Sequence, residues 1–194
     1  MNLYVTRHGE TEWNAKDLVC GRTDLDLTEK GRKQAQALGE KLTEIPIDVI
    51  FVSPLKRAQE TCRIAESIRN DLLNIRAKEA GTRGVSKRPP IYTEPRLIEQ
   101  CYGIYEGKSR FDEGFLNNKK MFACRYPEGE SQMQTAFRVY GFLEEIKKRY
   151  AEKNVLFVCH GGICRIIHTY FNDVTNDEFF QYGMGNCEIR QYEM

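Results

Sequence analysis

The sequence of 194 residues has no long apolar segment. Its apolar runs are short, such as residues 49–52 and 155–159, whereas a helix that crosses a membrane needs about 20 apolar residues. No apolar stretch of the length of a secretion signal comes before the first charged residue, Arg7. We therefore expect a cytoplasmic protein that has no membrane partner.

An excess of charge of one sign is also absent. Lys plus Arg number 29 and Asp plus Glu number 28, which gives a net charge of +1. A protein that binds nucleic acids through a general basic surface normally has many more basic than acidic residues, so we expect no nucleic-acid partner. The balance still allows a small local anion site.

The sequence lacks the cysteine and histidine patterns of a disulfide framework or a metal site. Seven cysteines are an odd number, and no two of them form a Cys-x-x-Cys pair. We expect reduced thiols, several of them buried as small apolar side chains. The histidines are His8, His160 and His168, and His168 is poorly placed to complete a zinc site with the other two. No metal is expected.

Short β-like runs alternate with helical patterns, which is typical of an α/β domain with a mostly parallel sheet. The runs predict strands at residues 3–6, 48–52, 91–92, 154–159 and 187–192, the last as an edge strand. Apolar residues at helical spacing predict helices at residues 29–44, 55–69, 131–150 and 162–171, the first capped by Thr28. Since no repeat or linker divides the sequence, residues 1–194 are interpreted as one domain.

Two stretches depart from this alternation. Residues 76–90 contain five Lys or Arg against one Glu, with two glycines and a Pro-Pro end, and they predict a mobile basic loop. This loop either extends a substrate site or is simply solvated. Residues between the short strand at 91–92 and Gly129 show no regular pattern and are expected to be irregular.

Basic residues follow three of the predicted strands. Arg7-His8-Gly9 follows the first strand, Ser53-Pro54-Leu55-Lys56-Arg57 the second, and His160-Gly161-Gly162 the strand at 154–159. Ligands of open α/β sheets bind at the carboxyl ends of the strands, so we expect these side chains to face one edge. A helix that begins after His160 would direct free N–H groups to the same place, as an anion site requires.

A phosphomonoester fits these groups. It is largely dianionic at neutral pH because its second pKa is near ~6, and the fork of an arginine holds two phosphate oxygens at once. A neutral histidine can attack phosphorus to form a phosphohistidine. The arginines and a second histidine can then stabilise the charge of the transition state. A carboxylic acid must protonate the leaving oxygen and later activate water.

Several motifs occur in a fixed order over nearly the whole chain. They are Arg7-His8-Gly9-Glu10-Thr11 with Trp13-Asn14, the run from Gly21 to Gly31, Ser53-Pro54-Leu55-Lys56-Arg57-Ala58, Leu97-Ile98-Glu99-Gln100-Cys101-Tyr102-Gly103, Glu106-Gly107, Gly129-Glu130-Ser131 and Cys159-His160-Gly161-Gly162. In this order the sequence resembles the histidine phosphatase superfamily, which includes the cofactor-dependent phosphoglycerate mutases. The resemblance implies an α/β three-layer sandwich, with a mostly parallel central sheet flanked by helices.

The resemblance also implies roles for individual residues. His8 is expected to be the phosphorylated nucleophile and Glu99 the general acid and base, with Glu10 and Glu106 as the other available carboxylates. The residues expected to bind the phosphoryl group with His8 are Arg7, Arg57, His160, Asn14 and the backbone amide of Gly161. Gly21 and Tyr102 are expected to border the substrate. The family implies no metal and no other cofactor.

The stretch before the helix at 131–150 bears on the choice between a phosphatase and a mutase. Mutases of the family carry a longer insertion there, with a lysine and a pair of arginines that hold the carboxylate and the second phosphate. In this sequence, Arg110 occupies a position close to that of the mutase lysine. Lys119-Lys120 and Arg125 do not reproduce the pair of arginines. The chain also ends soon after its last predicted strand. A shorter lid gives water access to a phosphohistidine, so we expect a phosphatase.

Two other functions stay open at this point. One is a phosphoglycerate mutase that returns the phosphoryl group to a second hydroxyl, and the other is a phosphate-binding module without chemistry. The expected partner is a small phosphorylated metabolite, and a homodimer stays open. A shared fold determines the reaction class better than the substrate, so the substrate is left undetermined.

Overall fold

The computed structural model describes residues 1–82 and 88–194, and a five-stranded sheet lies at its centre. The strands are β1 (Asn2–Arg7), β2 (Val49–Val52), β3 (Ile91–Thr93), β4 (Asn154–Cys159) and β5 (Ile189–Glu193). Their order across the sheet is β3-β2-β4-β1-β5. All neighbouring pairs are parallel except β1 with β5, which are antiparallel. The expected mostly parallel sheet with a final edge strand is confirmed.

Helices lie between the strands. They are α1 (Glu12–Ala15), α2 (Glu29–Lys41), α3 (Lys56–Glu79), α4 (Glu113–Lys119), α5 (Gln132–Arg149), α6 (Gly161–Phe171) and α7 (Asn176–Gln181), with 3-10 turns at Leu42–Glu44, Pro95–Leu97 and Gly103–Tyr105. Thr28 caps α2 by accepting from the Gly31 amide, and Ser131 caps α5 through a reciprocal pair with Gln134. These caps satisfy amides that a helix start leaves free.

Apolar clusters cover both faces of the sheet. On one face, Leu3 and Phe157 pack with α5 and α6 residues such as Phe142. On the other face, Tyr4 and Leu156 pack with α2 and α3. Successive residues of a strand point to opposite faces, so a strand covered on both sides is apolar throughout. The result is the three-layer α/β sandwich that the family resemblance implies.

Some predictions from the sequence were wrong in detail. The helix expected to end at residue 69 continues to Glu79, so residues 76–79 are helical and not part of a loop. Residues 71–79 are rich in good helix formers such as Leu, Arg, Ala, Lys and Glu, which sustain a largely exposed helix without an apolar stripe. The rest of the predicted basic loop includes residues 83–87, which lie outside the described residues.

The stretch up to Gly129 is less irregular than expected. It contains α4, which Asp112 caps by accepting from the Phe115 amide, and two 3-10 turns. All seven cysteines are free, and the burial of four of them confirms that several serve as buried apolar side chains. Within residues 1–82 and 88–194, no helix is both long and apolar enough to cross a membrane.

Candidate active site

Parallel pairing of β1 with β4 places two histidines side by side. Arg7 at the end of β1 lies opposite Cys159 at the end of β4, and the His8 amide donates to the Cys159 carbonyl at 3.0 Å. The residue that follows each strand is a histidine, His8 after β1 and His160 after β4. The ring centroids of His8 and His160 are 5.1 Å apart. This edge is the carboxyl end of the parallel strands, where α/β sheets hold their ligands.

The hydrogen bonds of His8 define its tautomer. Its Nδ1 lies 2.6 Å from the Gly9 carbonyl oxygen, which can only accept, so Nδ1 carries the proton. Arg57 Nε donates to His8 Nε2 at 3.2 Å. Burial, followed by the positive charges of Arg57 and Arg7, holds the pKa of His8 well below its ordinary value. The imidazole is therefore neutral, with its lone pair on Nε2.

Arg57 is fully buried in the first turn of α3. Its Nη1 donates to the Thr23 carbonyl at 2.9 Å and its Nη2 to the Gly21 carbonyl at 2.6 Å. These two carbonyls fix the guanidinium plane while Nε faces His8. Gly21, which the family resemblance placed beside the substrate, thus acts on Arg57 through its backbone. It does not line the cavity formed by the described residues.

In the guanidinium group of Arg7, Nη1 has a hydrogen-bond acceptor and Nε has none among the described residues. Its Nη1 donates to the Met184 carbonyl at 2.8 Å. Its Nε is buried and has no partner within residues 1–82 and 88–194. A buried donor without an acceptor costs about 1–3 kcal/mol, so this N–H favours binding of an oxyanion.

His160 is completely buried and is held by Ser53. Its Nε2 lies 2.6 Å from the Ser53 hydroxyl oxygen, whereas its Nδ1 is buried and has no partner in the described part of the chain. Burial, then Arg57 and His8, keep the pKa of His160 well below its ordinary value. From the sequence, Ser53 was expected only as part of the turn that follows the second strand. Its hydroxyl also orients this ring.

Of the three carboxylates considered from the sequence, only Glu99 lines the cavity of the described residues. Its Oε1 accepts from the Gln100 amide at 2.8 Å and its Oε2 from the Gly162 amide at 3.0 Å. Glu106 instead accepts from the Arg22 and Thr23 amides. Glu10 pairs with Lys30 at 2.7 Å.

A cavity of about 290 Å³ opens beside His8 and Glu99. Its wall includes Asn14, Tyr102 and Gly161, which the family resemblance indicated. Burial raises the pKa of Tyr102 well above its ordinary value, so its hydroxyl stays protonated. The other lining residues are Arg7, Val19, Cys20, Arg110, Phe115, Lys119, Tyr126, Gly162, Arg165, Phe180, Tyr182, Gly183 and Met184. Arg57 and His160 lie behind this surface, in contact with His8.

The segment before β5 braces β1 in a way that the sequence did not indicate. Asn186 Nδ2 donates to the His8 carbonyl at 2.7 Å, and the Cys187 amide donates to the Arg7 carbonyl at 2.9 Å. These two contacts hold the backbone at Arg7 and His8, while the Met184 carbonyl holds the Arg7 side chain. They join residues nearly 180 positions apart, so no local pattern could have revealed them.

Positive charge dominates the cavity wall. Among the described residues, Arg7, Arg110, Lys119 and Arg165 line it, against the one carboxylate of Glu99. Among residues 1–82 and 88–194, no group of three or more His, Cys, Asp or Glu side chains is arranged to hold a metal ion. The arrangement can bind an anion and place it against a neutral histidine and a carboxyl group.

Comparison with protein families matches residues 3–194 to the Histidine phosphatase superfamily (branch 1), which confirms the resemblance noted in the sequence. Phosphoserine phosphatase 1 of Hydrogenobacter thermophilus is 30% identical over 202 residues, covering 100% of this chain and 87% of that protein. The 2,3-bisphosphoglycerate-dependent phosphoglycerate mutase 2 of Arabidopsis thaliana is 31% identical over 210 residues, covering 91% of this chain and 59% of the mutase.

A solved structure with a similar fold is Bacillus stearothermophilus YhfR. It superposes with a TM-score of 0.79 and 28% sequence identity, covering 98% of this chain and 89% of that one. The relatives thus include proteins named as phosphatases and proteins named as phosphoglycerate mutases. The residues of the site bear on the choice between hydrolysis and transfer.

Proposed function

Because the chain belongs to the histidine phosphatase superfamily, branch 1, we propose that it is a phosphatase that hydrolyses a small phosphomonoester through a phosphohistidine on His8. The observation that carries this proposal is the tautomer of His8. Its Nδ1 proton is held by the Gly9 carbonyl at 2.6 Å, so Nε2 has the lone pair that a nucleophile needs.

In the first step, His8 Nε2 forms a bond to phosphorus while the bond from phosphorus to the alcohol oxygen breaks. The Glu99 carboxyl group gives its proton to that oxygen, and the alcohol leaves. Each Glu99 oxygen accepts one backbone N–H, and a carboxyl oxygen has two acceptor positions. One position on each oxygen therefore remains for the reacting proton.

In the second step, water attacks phosphorus and the bond from phosphorus to Nε2 breaks. The Glu99 carboxylate takes a proton from the attacking water, and His8 regains its lone pair as inorganic phosphate leaves. The same group thus acts first as acid and then as base. Glu99 is suited to both steps because it lines the cavity with His8.

The charge on the transferred group is balanced by donors fixed in advance. Arg7 Nε and His160 Nδ1 are buried without partners among the described residues, and His160 Nδ1 carries the ring proton when the Ser53 hydroxyl donates to Nε2. Arg57 Nε has the His8 lone pair as its acceptor and gains a phosphoryl oxygen once that lone pair bonds to phosphorus. The Gly161 amide at the start of α6 and the Asn14 side chain add further donors. Donors already aimed at the reacting group need no reorganisation in the transition state.

Hydrolysis is favoured over transfer by the short stretch between Gly107 and Ser131. It contains a single α-helix among its described residues, the seven-residue α4. A mutase must keep water from its phosphoenzyme long enough to return the phosphoryl group. The similarity to phosphoserine phosphatase 1 over the whole of this chain supports the same choice, while the mutase relatives keep transfer as the second candidate.

The test is release of phosphate from a panel of small phosphomonoesters in excess EDTA, with isomerisation of 3-phosphoglycerate followed in the same tubes with and without a bisphosphate primer. We expect release that survives EDTA, and an acid-labile phosphoenzyme after rapid quenching. His8→Ala is expected to abolish both while keeping the circular dichroism spectrum and the unfolding midpoint of a folded protein.

The other outcomes decide between the alternatives. Isomerisation without net release of phosphate would assign the mutase reaction. Tight binding of phosphate esters with neither turnover nor phosphoenzyme would assign a binding module. A folded His8→Ala variant with normal turnover would overturn the role of His8.

A further inference from the structure

We propose that Glu106 is a positioning residue for the nucleophile: its carboxylate holds the bend at residues 21–23, and the carbonyls of that bend set Arg57 against His8. The inference rests on the proposed phosphatase function and adds a residue that acts from outside the cavity. The sequence offers Glu106 as one of three carboxylates for the general acid. In the structure this carboxylate has contacts of another kind.

The acceptor positions of the Glu106 carboxylate are all occupied. Its Oε1 accepts from the Arg22 amide at 2.9 Å and from the Tyr102 amide at 3.2 Å. Its Oε2 accepts from the Thr23 amide at 2.8 Å and from the Thr23 hydroxyl at 2.6 Å. A carboxylate has about four acceptor positions, so none remains for a reacting proton. Glu106 thus differs from Glu99, which keeps one open position on each oxygen.

One peptide group, between Gly21 and Arg22, joins Glu106 to Arg57. The Arg22 N–H at one end of this group donates to Glu106. The Gly21 carbonyl at the other end accepts from Arg57 Nη2 at 2.6 Å. Hydrogen bonds at the two ends of a peptide group polarise it in the same sense, so each strengthens the other. The carboxylate also fixes Thr23 by its amide, and the Thr23 carbonyl accepts from Arg57 Nη1 at 2.9 Å.

The charge of Glu106 compensates that of Arg57 across this peptide group. Arg57 is fully buried, and its acceptors among the described residues are two carbonyls and the His8 ring, with no carboxylate. A buried charge without an opposite charge is costly. The donors to Glu106 are backbone amides and a hydroxyl, all neutral. Its negative charge is therefore left to stabilise the guanidinium on the far side of the bend.

The local backbone is built for this approach. A Cβ atom on Gly21 would lie 2.1 Å from Glu106 Oε1, so the bend lies against the carboxylate only because residue 21 has no side chain. The Gly107 amide donates to the Val19 carbonyl at 2.9 Å, and the Val19 amide donates to the Lys108 carbonyl at 2.8 Å. This pairing brings Glu106 alongside the bend.

The position of Arg57 follows from these contacts. With both Nη atoms tied to the bend, Nε faces His8 Nε2 at 3.2 Å. Loss of the Glu106 carboxylate releases the bend, and the two carbonyls then no longer fix the guanidinium. A displacement of about 1 Å in a site costs about 10²-fold in rate. Glu106, which does not line the cavity of the described residues, therefore controls the attacking nitrogen from a distance.

Glu106→Gln tests the proposal, because the amide keeps the size of the side chain and replaces one acceptor oxygen with an N–H donor. We expect the rate of phosphoenzyme formation to fall by about 10-fold to 100-fold, and by the same factor on p-nitrophenyl phosphate and on an alkyl phosphate. Rapid quenching of the phosphoenzyme measures both rates. Equal losses distinguish Glu106 from a general acid, whose removal spares the aryl ester.

A spectroscopic signature separates positioning from general stability. In protein labelled with nitrogen-15 histidine, the ring nitrogen resonances of His8 report whether Nε2 accepts a hydrogen bond, and His8→Ala assigns them. We expect the Nε2 resonance of Glu106→Gln to move downfield, toward that of an imidazole nitrogen without a donor. The Nδ1 resonance is expected to stay that of a protonated nitrogen.

Glu178→Gln is the matched control. Glu178 Oε2 also accepts from a threonine amide and hydroxyl, those of Thr175 at 2.7 Å and 2.9 Å, and it does not line the cavity of the described residues. Its rates and its spectrum are expected to equal those of the wild type. A double-mutant cycle then locates the effect. Glu106→Gln is expected to add little to the loss of Arg57→Lys and to multiply with that of Glu99→Gln.

A loss confined to alkyl esters would overturn the proposal, since Glu106 would then act through the Tyr102 amide on the side of the acid. Losses that multiply with Arg57→Lys would overturn it too, as would unchanged rates in Glu106→Gln. If that variant does not fold, Thr23→Val decides, because it removes only the hydroxyl donor to Oε2. We expect it to move the His8 Nε2 resonance downfield by less, and an unmoved resonance would overturn the proposal.

The nitrogen resonances also keep the two proposals apart. If no ester is hydrolysed, the proposed function fails, and the His8 spectrum of Glu106→Gln still tests the positioning role. A downfield Nε2 resonance in that variant, absent from Glu178→Gln, would uphold the contact between Arg57 and His8 as dependent on Glu106. A spectrum equal to that of the wild type would overturn it.

Discussion

Arg57 Nε donates a hydrogen bond to Nε2 of His8 at 3.2 Å, so a fully buried cation faces the atom proposed to attack phosphorus. The guanidinium is itself fixed by the Gly21 and Thr23 carbonyls. Its charge opposes protonation of His8 and at the same time attracts a phosphate dianion. One residue therefore contributes both to the state of the nucleophile and to the binding of its target.

The first prediction concerns the pH dependence of stability. In the unfolded chain a histidine binds a proton near pH 6.5, whereas the folded structure keeps His8 and His160 neutral well below that pH. Below about pH 6.5 the unfolded state binds more protons, so the free energy of unfolding falls as the pH decreases. Each such histidine contributes a slope of up to ~1.4 kcal/mol per pH unit.

Urea unfolding at pH 7, 6 and 5 measures this slope. Carboxylates also add to it, so the comparison that isolates His8 is between the wild type and His8→Asn, a smaller polar side chain that does not titrate. We expect the variant to lose less stability than the wild type between pH 7 and pH 5. Parallel pH profiles for the two proteins would contradict a neutral His8.

The second prediction concerns Glu99. In Glu99→Gln the acid is lost, so turnover of alkyl phosphates is expected to fall by about 10²–10⁴-fold. p-Nitrophenolate leaves without a proton, so the first step with p-nitrophenyl phosphate is expected to remain fast. Rapid mixing is then expected to show a burst of p-nitrophenolate close to one per enzyme, followed by slow turnover.

Glu10→Gln is the control for this prediction, because Glu10 pairs with Lys30 and Thr28 away from the cavity. Its turnover of both kinds of ester is expected to match that of the wild type. An equal loss on alkyl and aryl esters in Glu99→Gln, without a burst, would show that Glu99 holds the site together and does not transfer the proton.

The parts of the site that could be predicted from the sequence are those attached to strand ends. Arg7, His8 and His160 could be placed together because the carboxyl ends of parallel strands share an edge. The same logic extended to Arg57, which follows β2 after a Ser-Pro turn. For these residues it was enough that each follows a predicted strand directly in the sequence. The family resemblance added Glu99.

Other features depend on tertiary contacts that have no local pattern. Asn186 reaches the His8 carbonyl from the opposite end of the chain, and the role of Ser53 depends on a ring 107 positions away. In the sequence, Lys119 is one of several basic residues in a stretch without a regular pattern. Its position on the cavity wall follows from α4, a short helix that carries no long apolar stripe.

The third prediction concerns Gly162, whose amide donates to Glu99. A Cβ atom at this position would lie 2.5 Å from Glu99 Oε1 and 2.9 Å from the Tyr102 hydroxyl oxygen. Both atoms are ends of side chains, so Gly162→Ala is expected to displace Glu99 at little cost in stability. Turnover of alkyl phosphates is expected to fall by about 10-fold or more, since a misplaced acid transfers its proton poorly.

Gly141→Ala is the matched control. Gly141 lies in α5, and a Cβ there has no neighbour within 4 Å, so the change is expected to raise the free energy of unfolding by about 0.5–1 kcal/mol with turnover unchanged. Steady-state kinetics and urea unfolding of both variants make the comparison. Gly162→Ala combined with Glu99→Gln is expected to lose little more than Glu99→Gln alone, because both changes remove the same contact. Losses that multiply would show that Gly162 acts independently of Glu99.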